Sequence, residues 1–202
     1  MRLRDETESR FMPAVDFRNT THIDSARLRS TCLLYAAPYD HQALRVRFRH
    51  SRGAPFSGSC YYRDARIFIN IGRETRYPFS LATHLAKAQR VPGGWRREVF
   101  ELAVRDAFQL ALFVYLHELY HYLIQRAGRS LRRREAMCDR FAARRLVDDF
   151  GCALRRRTGR PVGREEWDFQ DLDAFVRPAV RPAPAGEIPV AILRRRDGAG
   201  RR

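Results

Sequence analysis

Residues 108–124 read FQLALFVYLHELYHYLI, and no other stretch of this chain limits its fold so tightly. Leu110, Phe113, Val114, Leu116, Leu119, Leu123 and Ile124 make it apolar nearly all round, so a helix here is expected to be buried. Arg105 and Asp106 precede it, and His117, Glu118 and His121 lie inside it, which argues against a membrane span. Buried polar groups are costly unless partnered, so these three side chains call for partners.

Their spacing indicates which kind. His117 and His121 are four apart, so on a helix they share one face, one turn from each other. Two imidazoles there can grip one Zn²⁺. Glu118 points about 100° around the helix. It is badly placed to ligate the same ion and well placed to reach a water on it. H-E-x-x-H therefore signals a zinc hydrolase with Glu118 as general base. The competing reading is a metal-free helical protein in which the same side chains only hydrogen-bond. A chain this long would contain the pattern by chance on the order of one time in a hundred.

A second acid pair follows. Glu135 and Asp139 are four apart, and with Cys138, Ala142 and Leu146 they fall on one face of a helix expected over residues 131–150. Gly128 is placed to end the first helix, Ser130 to cap the second and Gly151 to end it. Acids on a buried stripe are expected to be paired or metal-bound.

The two halves together, over roughly residues 108–147, resemble the zincin metallopeptidases of the gluzincin type. The resemblance implies a small α+β domain in which a short mixed β-sheet packs on the active-site helix and a ligand-bearing helix follows. It implies one Zn²⁺ per chain on His117, His121 and Glu135, with Asp139 hydrogen-bonded to a ligand histidine, and hydrolysis of peptide bonds in a peptide or protein substrate. Thirteen residues separate His121 from Glu135, which suits the small, minimal members of the clan. The resemblance also implies an edge strand, here residues 65–71, that pairs with extended substrate through main-chain hydrogen bonds. A donor for the tetrahedral oxyanion is expected. Tyr120, Tyr122, Tyr77, His84 and several arginines are candidates, although Tyr120 and Tyr122 suit packing better.

At 202 residues the chain can form one domain with a real core. Its formal charge is +16, and every basic residue except Lys87 is arginine. Arg126, Arg129, Arg132, Arg133 and Arg134 cluster between the two motif helices, and Arg155, Arg156, Arg157 and Arg160 form a second group. Arginine clusters bind phosphate well. The alternative function is therefore a basic nucleic-acid-associated protein, a zincin-fold regulator or a protease acting on DNA-bound proteins included, or one with an acidic protein partner, working through Arg132, Arg133, Arg134, Arg155, Arg156 and Arg157. Against it stands a merely solvated basic surface, and there is no zinc-finger spacing, RNP motif or clear helix-turn-helix. Cys32, Cys60, Cys138 and Cys152 form no C-x-x-C pair, and no signal-peptide pattern opens the chain. Reduced thiols in a cytoplasmic protein are the expectation. Cys138 lies within reach of the metal ligands, with packing as its expected role.

Along the chain, residues 1–20 read as a loose lead-in, 21–177 as the single zincin-like domain, and 178–202 as a mobile Pro- and Arg-rich tail with a strand at 188–193. Asp24 or Ser25 caps a helix to about residue 35. Residues 43–48 alternate as a strand, 51–57 form a loop, and 60–62 with 65–71 make a hairpin. A short helix is expected over 80–89. The active-site helix is expected from about residue 95 to 126, roughly 48 Å long, with a bend. A last short helix is expected over 165–176.

Overall fold

The computed structural model describes residues 15–41 and 44–177. In chain order it forms β1 (Asp16–Asn19), α1 (Ser25–Ala36), β2 (Arg45–His50), β3 (Phe56–Tyr61), β4 (Arg66–Ile71), β5 (Phe79–Thr83), β6 (Gln89–Val91), β7 (Gly94–Arg96), β8 (Phe100–Val104), α2 (Ala107–Arg126), α3 (Glu135–Phe150), β9 (Leu154–Arg156) and α4 (Leu172–Val176). The architecture is mixed α+β.

The largest sheet has the order β1-β2-β4-β3. β1, β2 and β4 run parallel, and β3 is antiparallel at the edge. Val46, Phe48, Ile67, Ile69 and Ile71 are fully buried on one face, against which α2 packs. The intervening residues Arg45, Arg47 and Arg49 turn to the other face, as strand alternation requires. The expected edge, residues 65–71, is therefore an interior strand; the edges are β1 and β3, and β3 is the one against α2. The reason is composition. RIFINI buries an isoleucine at every second position and takes the centre, whereas the polar, glycine-containing FSGSCY tolerates an open side. Residues 56 and 57, expected in a loop, belong to β3, and residues 16–19 of the expected lead-in form β1.

Between β4 and α2 the chain forms β5, the β6–β7 hairpin and β8, and β9, after α3, joins β8 to complete a second sheet of order β5-β8-β9. The short helix expected over 80–89 is absent: Leu81 and Thr83 are buried at period two, and so are Phe100, Leu102 and Val104. The active-site helix consequently starts at Ala107 rather than near residue 95. Asp106 Oδ1 accepts the Gln109 N–H at 2.8 Å, and Gln109 Oε1 accepts the Arg105 N–H at 2.7 Å, a reciprocal cap. Its 20 residues span about 30 Å at roughly 1.5 Å each, and no bend is needed.

Gly128, at φ 68°, follows the end of α2, and Gly151, at φ 62°, ends α3, both as expected. Ser130 does not cap α3. Its Oγ accepts the Arg132 N–H within the connecting turn, and the helix begins at Glu135. Over 165–176 only a 3₁₀ turn (Arg164–Glu166) and the five-residue α4 form. Cys32, Cys138 and Cys152 are buried free thiols and Cys60 is half-buried. Among the described residues no helix is long and apolar enough to cross a membrane. The tail from 178, with the strand expected at 188–193, and residues 1–14 lie outside the described residues.

Candidate metal centre

Helical spacing brings His117 and His121 to one face of α2, and their Nε2 atoms lie 3.2 Å apart. α3 packs against α2 and presents Glu135 from its first turn. Glu135 Oε2 is 3.3 Å from His117 Nε2, and Oε1 is 3.3 Å from His121 Nε2. Two ligands of a tetrahedral ion, each about 2.0–2.1 Å from it, are about 3.3 Å apart. The three groups thus converge with the spacing such an ion needs. Cys138, one turn into α3, adds its Sγ: the ligand atoms of His117, His121 and Cys138 all lie within 4.8 Å of one another, a group that could hold a metal ion. Imidazole, carboxylate and thiolate together suit zinc better than magnesium or calcium.

The surroundings orient these groups. His117 Nδ1 lies 2.9 Å from Asp139 Oδ1. An N–H at Nδ1 leaves the Nε2 lone pair directed at the cluster. Asp139 Oδ2 accepts the backbone N–H of His84 at 2.8 Å, so the same carboxylate ties the end of β5 to the site. His121 Nδ1 is buried with no hydrogen-bond partner among the described residues. Glu135 has a side chain 69% exposed, whereas Glu118 is 9% and His121 8% exposed. The cluster opens to solvent on the Glu135 side.

Burial raises the Glu118 carboxyl to about 7, with the charge of Glu135 adding to it and that of His117 opposing it. At His117 burial opposes the charge, but hydrogen bonds to Asp139 and Glu135 outweigh it and raise the imidazole to about 9. The His117 hydrogen bond lowers Glu135 to about 2. Burial lowers His121 and raises the Cys138 thiol.

The edge strand crosses directly over Glu118. A Cβ on Gly58 would lie 2.8 Å from Glu118 Cγ and from Val114 Cγ1, and closer still to Glu118 Oε1. Only glycine permits this approach. Gly58 was legible in the sequence only as a glycine inside a strand, itself a sign of close backbone approach. Two neighbours carry no such sequence signal. Cys60 is raised to about 12 by burial and by Glu118. Tyr62, the next residue on that face, is raised to about 12 by burial and by nearby Cys60, Glu118, Cys138 and Glu135.

The expected oxyanion donors separate. Tyr120 O–H donates to Leu172 O at 2.9 Å and is fully buried, and Tyr122 is also buried. Tyr77 lies beside Asp106 at the start of α2, eleven residues or roughly 16 Å along the helix from His117. His84 remains at the site, its Nδ1 3.8 Å from Asp139 Oδ2. Of the basic clusters, Arg132 and Arg133 are exposed in the α2–α3 turn, and Arg134 sits over the Phe175 ring. Arg156 is paired with Glu98 and Glu166, and Arg155 donates to Gly159 O. Comparison with known proteins finds no matching family model, no matching curated protein and no matching solved structure.

Proposed function

We propose that this chain is a zinc-dependent peptidase of minimal gluzincin type, with His117, His121 and Glu135 as ligands and Glu118 as general base. The observation that carries the reading is the convergence of two Nε2 atoms and one carboxylate at 3.2–3.3 Å, with Glu118 alongside and beneath an edge strand. Zinc held there would supply a Lewis acid and an acidified water. Glu118, on the same helix turn, takes the proton of the attacking water on its carboxylate and returns it to the leaving amine. Asp139 holds the His117 tautomer, and the open side of β3 offers main-chain N–H and C=O groups to an extended peptide. Tyr62, in the field of Glu118 and Glu135, and His84, beside Asp139, are the candidate oxyanion donors.

Metal analysis of the purified protein, paired with turnover of an unfolded protein substrate, tests this. About one zinc per chain is expected, and Glu118→Gln should keep the metal while losing roughly 10²- to 10⁴-fold in turnover. Full turnover in Glu118→Gln would remove Glu118 from the chemistry.

The position of Cys138 favours a second reading, a structural or regulatory site in which its thiolate fills the fourth position and leaves no room for water. Cobalt substitution separates the two. A sulfur-to-cobalt charge-transfer band that disappears in Cys138→Ser supports the closed site, and its absence supports the open one.

A further inference from the structure

We propose that the solvent face of the four-stranded sheet binds single-stranded nucleic acid, with Arg18, Arg45 and Arg49 on phosphates and Tyr61 against a base. This surface lies on the opposite side of the sheet from α2, and the inference does not depend on the metal centre.

Pairing register builds the face. One row runs Asp16, Arg45, Arg66, Tyr61, and the next runs Arg18, Arg47, Phe68, Ser59. Arg45 is thus directly opposite Arg66, and Arg18 directly opposite Arg47. Like charges in direct cross-strand register destabilise a sheet, and Asp16, opposite Arg45 and paired with Arg47, offsets only part of that repulsion. Asp16 and Asp64 pair with Arg47 and Arg66. Five arginines against two aspartates leave three positive charges. Among the described residues Arg18, Arg45 and Arg49 form no ion pair, and all three are exposed. The arginines surround a hollow of about 380 Å³ floored in part by Phe68.

The aromatic residues decide the class of partner. Tyr61 is 52% exposed and meets Phe68 edge-on at 5.6 Å. The Arg49 guanidinium sits 3.9 Å over the Phe68 ring while its Nε donates to Asn70 Oδ1. Bases stack on aromatic rings and on guanidinium planes, which requires bases free of a duplex. An acidic protein would use the charges and leave the open half of the Tyr61 ring, which otherwise packs only on Phe68 and Arg66, uncovered. A duplex offers phosphates, but its bases are already stacked, and this face has no helix to enter a groove.

The test is fluorescence anisotropy of the full chain with a labelled oligouridylate of about 12 nucleotides, titrated with salt. The Arg45→Ala/Arg49→Ala double variant should weaken binding at least tenfold and flatten the log–log salt slope by about 1.4, at roughly 0.7 per lost phosphate contact. Tyr61→Ala should weaken binding about fivefold or more with the slope unchanged. Arg155→Ala/Arg157→Ala should leave binding as it was. Arg45→Lys/Arg49→Lys, which keeps the charges, should keep the slope and guards against misfolding of the alanine variant. The proposal is overturned if the Arg132, Arg133 or Arg155 clusters carry the binding instead. It is equally overturned if a duplex of the same length or polyglutamate competes as well as the single strand, or if Tyr61→Ala has no effect.

Discussion

Gly58→Ala probes the contact on which the geometry of the candidate site depends most. The added methyl would sit 2.8 Å from two carbons, Glu118 Cγ and Val114 Cγ1, and overlap Glu118 Oε1. Carbon atoms in proteins prefer separations of about 3.5–4.0 Å, so both contacts fall far up the repulsive wall. The carboxylate end of Glu118 can swing aside. Its Cγ and the Val114 methyl are held close to the α2 backbone, and a β-branched residue in a helix has essentially one rotamer. Relief therefore requires β3 to lift from α2. Overpacking of this kind costs about 1–3 kcal/mol. Replacing glycine otherwise gains about 0.4–1 kcal/mol by restricting the unfolded chain. The net expectation is a loss of about 1–2 kcal/mol, or a fall in Tm of roughly 2–8 °C for a domain of this size. A double-mutant cycle by urea denaturation isolates the cause. Glu118→Ala removes two of the three clashing atoms, so Gly58→Ala should cost less than half as much in that background. If the two penalties agree within about 0.5 kcal/mol, β3 does not rest on Glu118 and the reasoning is wrong.

Other consequences are equally open to measurement. Asp139→Asn keeps the shape but removes the charge beside His117 Nδ1, and should weaken zinc affinity about 10- to 100-fold in a chelator competition. Unchanged affinity would show that Asp139 does not act through His117. In metal-free protein, despite burial, the Asp139 and Glu135 carboxylates hold the folded His117 imidazole raised to about 9, against an ordinary value of 6.5. A raised histidine gives stability that is complete below 6.5 and lost as pH rises through about 9, so urea midpoints should fall across that window. Saturating zinc, held as proposed on the neutral imidazole, should abolish the fall, and a flat profile in metal-free protein would contradict this His117 environment. Arg140 is only 4% exposed, its Nε and Nη1 have no hydrogen-bond partner among the described residues, and burial lowers its pKa to about 10. Arg140→Met should therefore be neutral or stabilising by thermal melting, and a loss above about 2 kcal/mol would mean the guanidinium has a partner in solution.

What the sequence determined by itself was local. The i, i+4 spacing of His117 with His121 and of Glu135 with Asp139 set which side chains share a face, because a helix closes its hydrogen bonds within one turn. The apolar surround of that pattern required burial, and Asp24, Gly128 and Gly151 marked element ends through capping chemistry carried by single residues. Asp106 and Gln109 carried the same kind of signal for the start of α2, and the uninterrupted length of the apolar pattern obscured it. The alternation at Phe100, Leu102 and Val104 was likewise present but was absorbed into the helix that follows. Tertiary structure alone decided which strand lies at the edge, because β4 and β3 compete for the buried centre and the more apolar strand wins. It alone set Gly58 over Glu118, Tyr62 beside the carboxylates and the Asp139 carboxylate against the His84 N–H, 55 residues away. These contacts join segments distant along the chain, and their geometry follows from how whole elements share burial rather than from any neighbouring residues.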